Sequence, residues 1–539
     1  MGAHLTMVAA TLTLLGALTA VVRAESPEPL AVLQEVCERT VPDASSSPGL
    51  SLAVQVHGAP PVTLQCGVAD RESGRLIEAD TPFHLASLTK QFVAFAILEA
   101  AHRGDLELDA TIDQYLGAFN RADVPTVRQL MHHASGFYEH WAQWSLSDAP
   151  ADTLDDIVQL AQAQEDGNFP AGLSFEYKNI NYVLLARILE VVEGVSLPEV
   201  LETRIFDPVG MTRSGFLISQ SGAIADRAEG YSGDPATAER VDYVVSSILG
   251  DGGLYASALD LLAWQGELVS PVLEDLRDAR QAAYGAGEEP GAYYAAGLQV
   301  TDMPRGRLIH HGGANRGAST WIGYADDTAL SVVVLSNSDQ IDAQAVGLGV
   351  LEAMTGQSVS MRVAQPTVRS IDGDLGLFGG SLQGQPLVLS VVSNGDDARV
   401  GVAGGIMRAY RLNATGLYER VDEPRLEIRL TANYGLEFFF EGRLFETMYQ
   451  LPTVTQCDDA EGRWLADSLP GTEWVVARSD AGLTLSRNGA EPVGLETIQP
   501  GVLLAREAGL FIRCEVSGQF SVMRSGIRHI RFRRESASN

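Results

Sequence analysis

The sequence predicts an α+β protein, with a mixed helix-and-strand region first and an all-β region behind it. Two observations carry that reading. Up to about residue 370, apolar residues recur at helical spacing in several runs, and alternating runs of strand type lie between them. From about Ile371 the helical patterns vanish, and short alternating runs separated by Gly, Asn and Asp take over. A chain of 539 residues exceeds one ordinary core, so roughly two to four domains are expected.

Composition narrows the function classes. An apolar content of 45% with 20% charged residues is that of a globular protein. Asp and Glu number 69 against 38 Lys and Arg, a net charge of −31 that repels phosphate backbones and anionic lipid, so no nucleic-acid partner is expected. Leu5 to Val22 is uncharged and apolar, and Val22-Arg23-Ala24 fits a small-x-small cleavage site. Residues 1–24 therefore read as an export signal with a weak basic start; an uncleaved anchor is the alternative, because the run nearly spans a bilayer. No later stretch is apolar enough to span, so the mature protein is expected to begin near Glu25, without stable membrane insertion, in the periplasm or outside the cell. Four cysteines then meet an oxidising compartment. Of the three pairings, Cys37–Cys66 and Cys457–Cys514 join one close pair at each end of the chain, and none of the four shows metal-ligand spacing.

Taken in order, Leu30 to Thr40 reads as a helix, and Leu50 to Val56 and Val62 to Val68 as two strands joined through Gly58-Ala59-Pro60-Pro61. Gln91 to Ala101 carries Phe92, Phe95 and Ala96 at helical spacing, so a mostly buried helix is expected from near Ser87 to Gly104. Thr126 to Gly136 reads as a helix ending at Gly136, with His132 and His133 as structural histidines, since no third metal ligand lies at a suitable spacing. Phe169-Pro170-Ala171-Gly172 forms a turn leading to Tyr177-Lys178-Asn179 in a loop, ahead of a helix over Val183 to Val192. Ile205 to Met211 and Gly250 to Tyr255 read as loops. The latter lacks the strand and lysine of a phosphate cradle. Leu308 to His311 precedes Gly312-Gly313-Ala314-Asn315-Arg316-Gly317, and Ser319 to Tyr324 and Ala329 to Leu335 follow as strands. Behind them, stretches starting at Gly376 and Gly462 resemble each other loosely over roughly eighty residues each, as a tandem duplication of one small barrel or sandwich would. Asn413-Ala414-Thr415 is a glycosylation-type triplet, more often accidental than used.

The chemistry centres on Ser87-Leu88-Thr89-Lys90. A Ser and a Lys three residues apart at a helix start share one face, one turn apart. The unpaired N–H groups and positive dipole end there favour an anionic oxygen. A lysine held beside the hydroxyl can activate it without a Ser-His-Asp triad. Alone, the spacing occurs often by chance and favours a helix-capping serine and an ordinary first-turn lysine.

The rest of the chain reverses that preference. Ser87-Leu88-Thr89-Lys90, Tyr177-Lys178-Asn179 and His311-Gly312-Gly313 resemble, in order, the S-x-x-K, Y-x-N and K-T-G or H-x-G motifs of the penicillin-recognising serine hydrolases. Thr126, Leu130, His133, Ser135 and Gly136 match that family's T-x-x-x-L-x-x-H-x-S-G stretch. The likeness covers roughly residues 30 to 360. It implies a β-lactamase-like antiparallel sheet flanked by helices, with a helical insertion and the active site between them. The paired β units behind it resemble the two C-terminal barrels of D-aminopeptidases, which divides the chain into residues 25–365, 366–455 and 456–539.

Residue roles follow from the resemblance. Ser87 would be the nucleophile of an acyl-enzyme, Lys90 would hold Ser87 and Tyr177, and Tyr177 would be the base in acylation and the acid to the leaving group. Asn179 would orient substrate and lysine, and the N–H groups of Ser87 and Ala314 would form the oxyanion hole. His311, Gly312 and Gly313 stand in the third motif, where a lysine and a threonine usually offer a cation and a hydroxyl to a substrate carboxylate. A histidine mostly neutral at pH 7 and a glycine offer neither, unless Arg316 compensates. The implied reaction is amide or peptide hydrolysis of the D-aminopeptidase kind on a small molecule or short peptide, with no cofactor or metal and with room for a homodimer. Carboxylesterase, β-lactamase and D-Ala-D-Ala carboxypeptidase activity are the alternatives within the family, and a sensor that acylates without turnover is the alternative outside catalysis. The two β units are expected either to restrict access to Ser87 or to serve as structural additions.

Overall fold

A computed structural model describes residues 28–534 apart from 147–151, 174, 218–223, 235–236, 244–246, 269–291, 358–372, 383–384, 395–396, 403–406, 413–417, 422–425, 431–434, 441–442, 452–459, 467, 470–471, 480–481, 500–501, 509, 515–519 and 525–526. The export signal, the Asn413 triplet, Cys457 and most of the stretch joining residue 357 to the β region lie outside the described residues.

The first region is built on a seven-stranded antiparallel sheet. Its order is 292–295, 298–302, 307–315, 318–325, 330–336, 50–56 and 62–66. The early strand Leu50–Val56 pairs with Leu330–Ser336 in continuous register, Leu50 opposite Ser336 and Val56 opposite Leu330, so the two ends of this region close on each other. Alternation sends one set of strand residues to each face, and both faces are covered. On one side the helix Ala258–Leu268 lies on the sheet, and the helices Thr89–Arg103 and Asn179–Glu193, packed on each other, join it in one core that includes Phe92, Ile97, Leu185, Trp264, Ile322, Val333 and Leu335. On the other side Pro29–Thr40 and Ala343–Thr355 bring Leu33, Val36 and Leu351 onto Leu52, Trp321 and Val334. Each such fully buried aliphatic side chain contributes roughly 1.5–3 kcal/mol.

The expected disulfide between Cys37 and Cys66 is present, with the Cα atoms 6.1 Å apart, and ties the first helix to the sheet's last strand. Cys514 is also disulfide-bonded, and its expected partner, Cys457, lies outside the described residues. No helix among the described residues is long and apolar enough to cross a membrane.

Several element expectations need correction. The strand expected over Val62 to Val68 breaks at Gly67 into Val62–Cys66 and Val68–Asp70. The helix at Thr126 spans only Val127–Met131, because His133 adopts a left-handed φ of 55° and turns the chain. Gly136 then takes φ 73°, where a Cβ would lie 1.9 Å from the Phe169 carbonyl oxygen, so glycine is required. The next helix begins at Asn179 rather than Val183, which puts Asn179 in its first turn. Ile205 to Met211 is largely helical, the five-residue turn Glu202–Phe206 running into Asp207–Val209. Leu254–Ala256 is a short strand.

Among the described residues the all-β region holds one closed barrel, not the two expected. Eight antiparallel strands from Gly373–Leu382 to Arg443–Leu451 close on themselves, with Leu377 opposite Leu451. The strands from Gly462 onward form a nine-stranded sheet. Its end strands, Val493–Gly494 and Glu496–Gln499, are consecutive in the chain and do not pair with each other; Leu495 between them donates its N–H to the Leu483 carbonyl at 2.9 Å. The sheet therefore curls around Trp464, Trp474, Phe520 and Phe532 without closing. Its central strand is Ile527–Arg534. The same core takes in Tyr138, Ala142 and Leu146 of the first region.

Candidate active site

Ser87 sits in a short turn, Ala86–Leu88, that feeds directly into the Thr89–Arg103 helix. Ala86 has φ 48°, a left-handed conformation unusual for a residue with a Cβ. The surroundings hold it there. Thr89 Oγ1 donates to the Ala86 carbonyl at 2.7 Å, and Leu85 N–H donates to Leu254 at 2.8 Å. Thr320 Oγ1 donates to the Leu85 carbonyl at 2.9 Å. The strand Arg307–Asn315 runs so close to this turn that a Cβ on Gly313 would meet the Leu85 oxygen at 2.2 Å. Gly313 is thus required for close approach, which brings Ala314 beside the turn that carries Ser87.

Lys90, one helical turn on, is fully buried. Its Nζ donates to Ser87 Oγ at 3.1 Å, to Asn179 Oδ1 at 2.8 Å and to the Asp251 carbonyl at 2.7 Å. All three acceptors are neutral, so the ammonium is hydrogen-bonded to capacity with no carboxylate among these partners. It also lies 5.0 Å from the centre of the Tyr177 ring and 5.8 Å from that of Tyr182. The Tyr177 hydroxyl is buried and has no hydrogen-bond partner among the described residues.

The H-x-S-G stretch positions this second motif. His133 Nδ1 accepts from the Lys178 N–H at 3.2 Å, between Tyr177 and Asn179, and the His133 carbonyl accepts from Glu176 N–H at 2.9 Å. Its ring packs 4.3 Å from that of Tyr177. Ser135 Oγ donates to Asn181 Oδ1 at 2.6 Å.

The third motif is set differently from a cation site. His311 Nδ1 lies 2.6 Å from the Gly312 carbonyl, so it carries the proton, and Nε2 accepts from the Tyr294 hydroxyl at 3.2 Å. Both ring nitrogens are occupied. Burial, with the nearby Lys90 charge, pushes its pKa down to about 3. Burial likewise holds His310 at about 3, and burial together with Lys90 holds His133 well below its usual value. Arg316 lies in the exposed turn beyond the strand. The predicted residues Ser87, Lys90, Tyr177, Asn179, His311, Gly313 and Ala314 are brought together, while Gly312 faces Gln344 and Trp321. Tyr294, Glu139 and the Asp251 carbonyl are additions that sequence reading missed. No cluster able to hold a metal ion occurs among the described residues.

A pH prediction follows from these imidazoles. Their folded pKa values lie below the unfolded value of about 6.5, so unfolding takes up protons and the stability they contribute is present above pH 6.5 and lost as pH falls towards 3. His310 and His311 together should remove about 3 kcal/mol per pH unit below 6.5. Urea unfolding at pH 7.0 and 5.5 measures this, and equal stability at both would contradict it.

A family model for β-lactamase matches residues 36–357, the region that holds all three motifs. The chain belongs to the β-lactamase family. Among curated relatives of this β-lactamase-family chain, a D-aminopeptidase of Cereibacter sphaeroides (strain ATCC 17029 / ATH 2.4.9) is 31% identical over 327 residues, 59% of this chain and 61% of the relative. The match thus spans about six-tenths of that relative's length. A D-aminopeptidase of Brucella anthropi is 29% identical over 402 residues, covering 70% and 72%. Among solved structures, SurE aligns at a TM-score of 0.57 with 22% identity, over 78% of this chain and 98% of that one. An octameric penicillin-binding protein homologue from Pyrococcus abyssi aligns at 0.54 with 22% identity over the same shares. These likenesses show the shared fold.

Proposed function

We propose that the chain is a serine hydrolase that acts through an acyl-enzyme on Ser87 and releases amino-terminal residues from small peptides or amides, as a D-aminopeptidase does. The observation that carries this reading is the buried Lys90, whose three donors converge on Ser87 Oγ, Asn179 Oδ1 and a backbone carbonyl beside an unpartnered Tyr177 hydroxyl. A buried hydroxyl without a partner costs stability, and such a cost is kept where the reaction needs the group. With its own proton already given up to solvent, the Tyr177 phenolate takes the Ser87 proton as Ser87 Oγ attacks the carbonyl carbon. The N–H groups of Ser87 and Ala314 receive the oxyanion, and Tyr177 returns the proton to the departing amine. Water then attacks the ester, and Ser87 regains its proton.

Substrate class follows from charge. A neutral His311 with both nitrogens engaged provides no cation for a substrate carboxylate, which argues against β-lactams and D-alanyl-D-alanine stems. A net charge of −31 raises the local concentration of cationic substrates, in keeping with a free amino group. The D-aminopeptidase relatives support the same choice. We place the catalytic domain at residues 25–365 and the following β units at 366–455 and 456–539, in an exported protein.

The test is a chromogenic panel: D-alanine p-nitroanilide, its N-acetylated form, p-nitrophenyl acetate and a chromogenic cephalosporin. The free-amine anilide should be turned over at least about tenfold faster than the N-acetylated one, since a missing charge contact costs at least that factor. Preference for the acetylated anilide, the acetate ester or the cephalosporin would replace the aminopeptidase reading.

A further inference from the structure

Glu139 stands where two parts of the molecule meet. The helix Asn179–Glu193 begins behind Lys178, which makes no side-chain cap to its free N–H groups. Glu139, forty residues away in sequence, supplies the cap. Its Oε2 accepts from Asn179 N–H at 2.8 Å, and its Oε1 accepts from Ile180 N–H at 3.2 Å and from His140 N–H at 3.1 Å. The His140 imidazole lies 2.8 Å from Oε1. Burial alone would raise this carboxyl's pKa. The contacts to His140, the Lys178 charge and the Asn179 N–H outweigh that and hold it ionised. A carboxylate at a helix N-terminus also meets the positive end of the dipole. The first residue it caps is Asn179, whose Oδ1 receives Lys90 Nζ, which in turn donates to Ser87.

The other side of the same segment belongs to the nine-stranded sheet. Tyr138, Ala142 and Leu146 lie in one core with Trp464, Trp474 and Phe532. Gln143, fully buried, donates to the Leu160 and Ser468 carbonyls at 2.9 and 2.7 Å. Arg487 Nη1 donates to the Ser145 carbonyl at 2.5 Å. The Tyr138 hydroxyl donates to Asp166, which pairs with Arg531 at 2.9 Å.

We propose that Glu139 is a positioning residue for acylation: it fixes Asn179, and through it Lys90, and its own place is set by the nine-stranded sheet. The C-terminal region thereby acts on Ser87 from behind the site. The proposal rests on Ser87 being the nucleophile.

The experiment uses the full chain. Glu139→Gln keeps the shape and one acceptor oxygen but removes the charge and one acceptor. With D-alanine p-nitroanilide its kcat should fall by at least about tenfold with KM within about threefold of the parent, the pattern of an interaction that matters in the transition state only. The rate at which a fluorophosphonate labels Ser87 should fall in step. A cap that served stability alone would lower the melting temperature and leave the kcat of the folded protein unchanged, which would overturn the proposal. If Glu139→Gln does not fold, Glu139→Asp carries the test; it keeps the charge and withdraws it by one methylene. Its kcat should fall by about threefold or more, and a parent-like value would refute positioning. Gln143→Leu tests the sheet's part: kcat should fall with KM steady, and an unchanged kcat would remove the sheet from the argument. A parent that no fluorophosphonate labels removes nucleophile and positioning role together, whereas a labelled parent with equally reactive variants removes the positioning role alone.

Discussion

Ser87→Ala should abolish covalent labelling and leave hydrolysis below about one part in ten thousand of the parent, because every later step needs the ester on that oxygen. The fold should hardly notice. The hydroxyl is one of three acceptors for Lys90, and Asn179 and the Asp251 carbonyl remain in place. The thermal melt should therefore shift by no more than a few degrees. Mass spectrometry of fluorophosphonate-treated protein and a steady-state assay check both halves. Turnover at the parent's rate in Ser87→Ala would overturn the enzymatic reading as a whole.

The second large effect is expected at Tyr177, where activity and stability should move in opposite directions. Tyr177→Phe removes a hydroxyl that has no hydrogen-bond partner among the described residues. The buried donor's desolvation cost, about 1–3 kcal/mol, is relieved, so the variant should be at least as stable as the parent. Hydrolysis should fall by about a hundred- to ten-thousandfold, the usual loss when a general base is removed. Function held at the expense of stability is the pattern expected of a catalytic group. Kinetics beside a urea melt decide it. A loss below tenfold would rule out Tyr177 as the base and leave a neutral Lys90, whose Nζ lies 3.1 Å from Ser87 Oγ, as the acceptor.

Ser87, Lys90, Tyr177 and Asn179, which the structure brings together, stood out in the sequence because their motifs occur in the order shown by the family they resemble; neither the three-residue step nor the two-residue step would have singled them out alone. The two cysteines near the start were legible because they are close in the chain, and the structure bridges them. What escaped depends on contacts between distant residues. Glu139 meets Asn179 across forty positions, and its only trace in the sequence is Lys178, a poor cap at the head of a helix. The Tyr294 hydroxyl meets His311 across an intervening strand, with no pattern to announce it. Helix limits failed where one residue departs from its preferred backbone. The turn at His133 is dictated by its tertiary partners Lys178 and Glu176, not by helix propensity. Barrel closure failed because strand rhythm gives the number of strands but not whether the first and last pair. Here the first and last strands of the sheet are successive stretches of chain, Val493–Gly494 and Glu496–Gln499, and do not pair with each other.

The position of Ile527–Arg534 at the centre of the nine-stranded sheet bears on the order in which the molecule can be made. Synthesis delivers Tyr138, Ala142 and Leu146 more than three hundred residues before the strand that completes the core covering them. Until Ile527–Arg534 inserts between Gly462–Leu465 and Phe520–Arg524, the sheet remains two separate ladders with open edges, and that apolar surface has no permanent cover. Contacts so distant in sequence form late and slowly. Active protein should therefore emerge only after Ile527–Arg534 has left the ribosome, with the site among the last parts to set. In the meantime the exposed segment is a natural place for a chaperone to bind or for chains to associate wrongly.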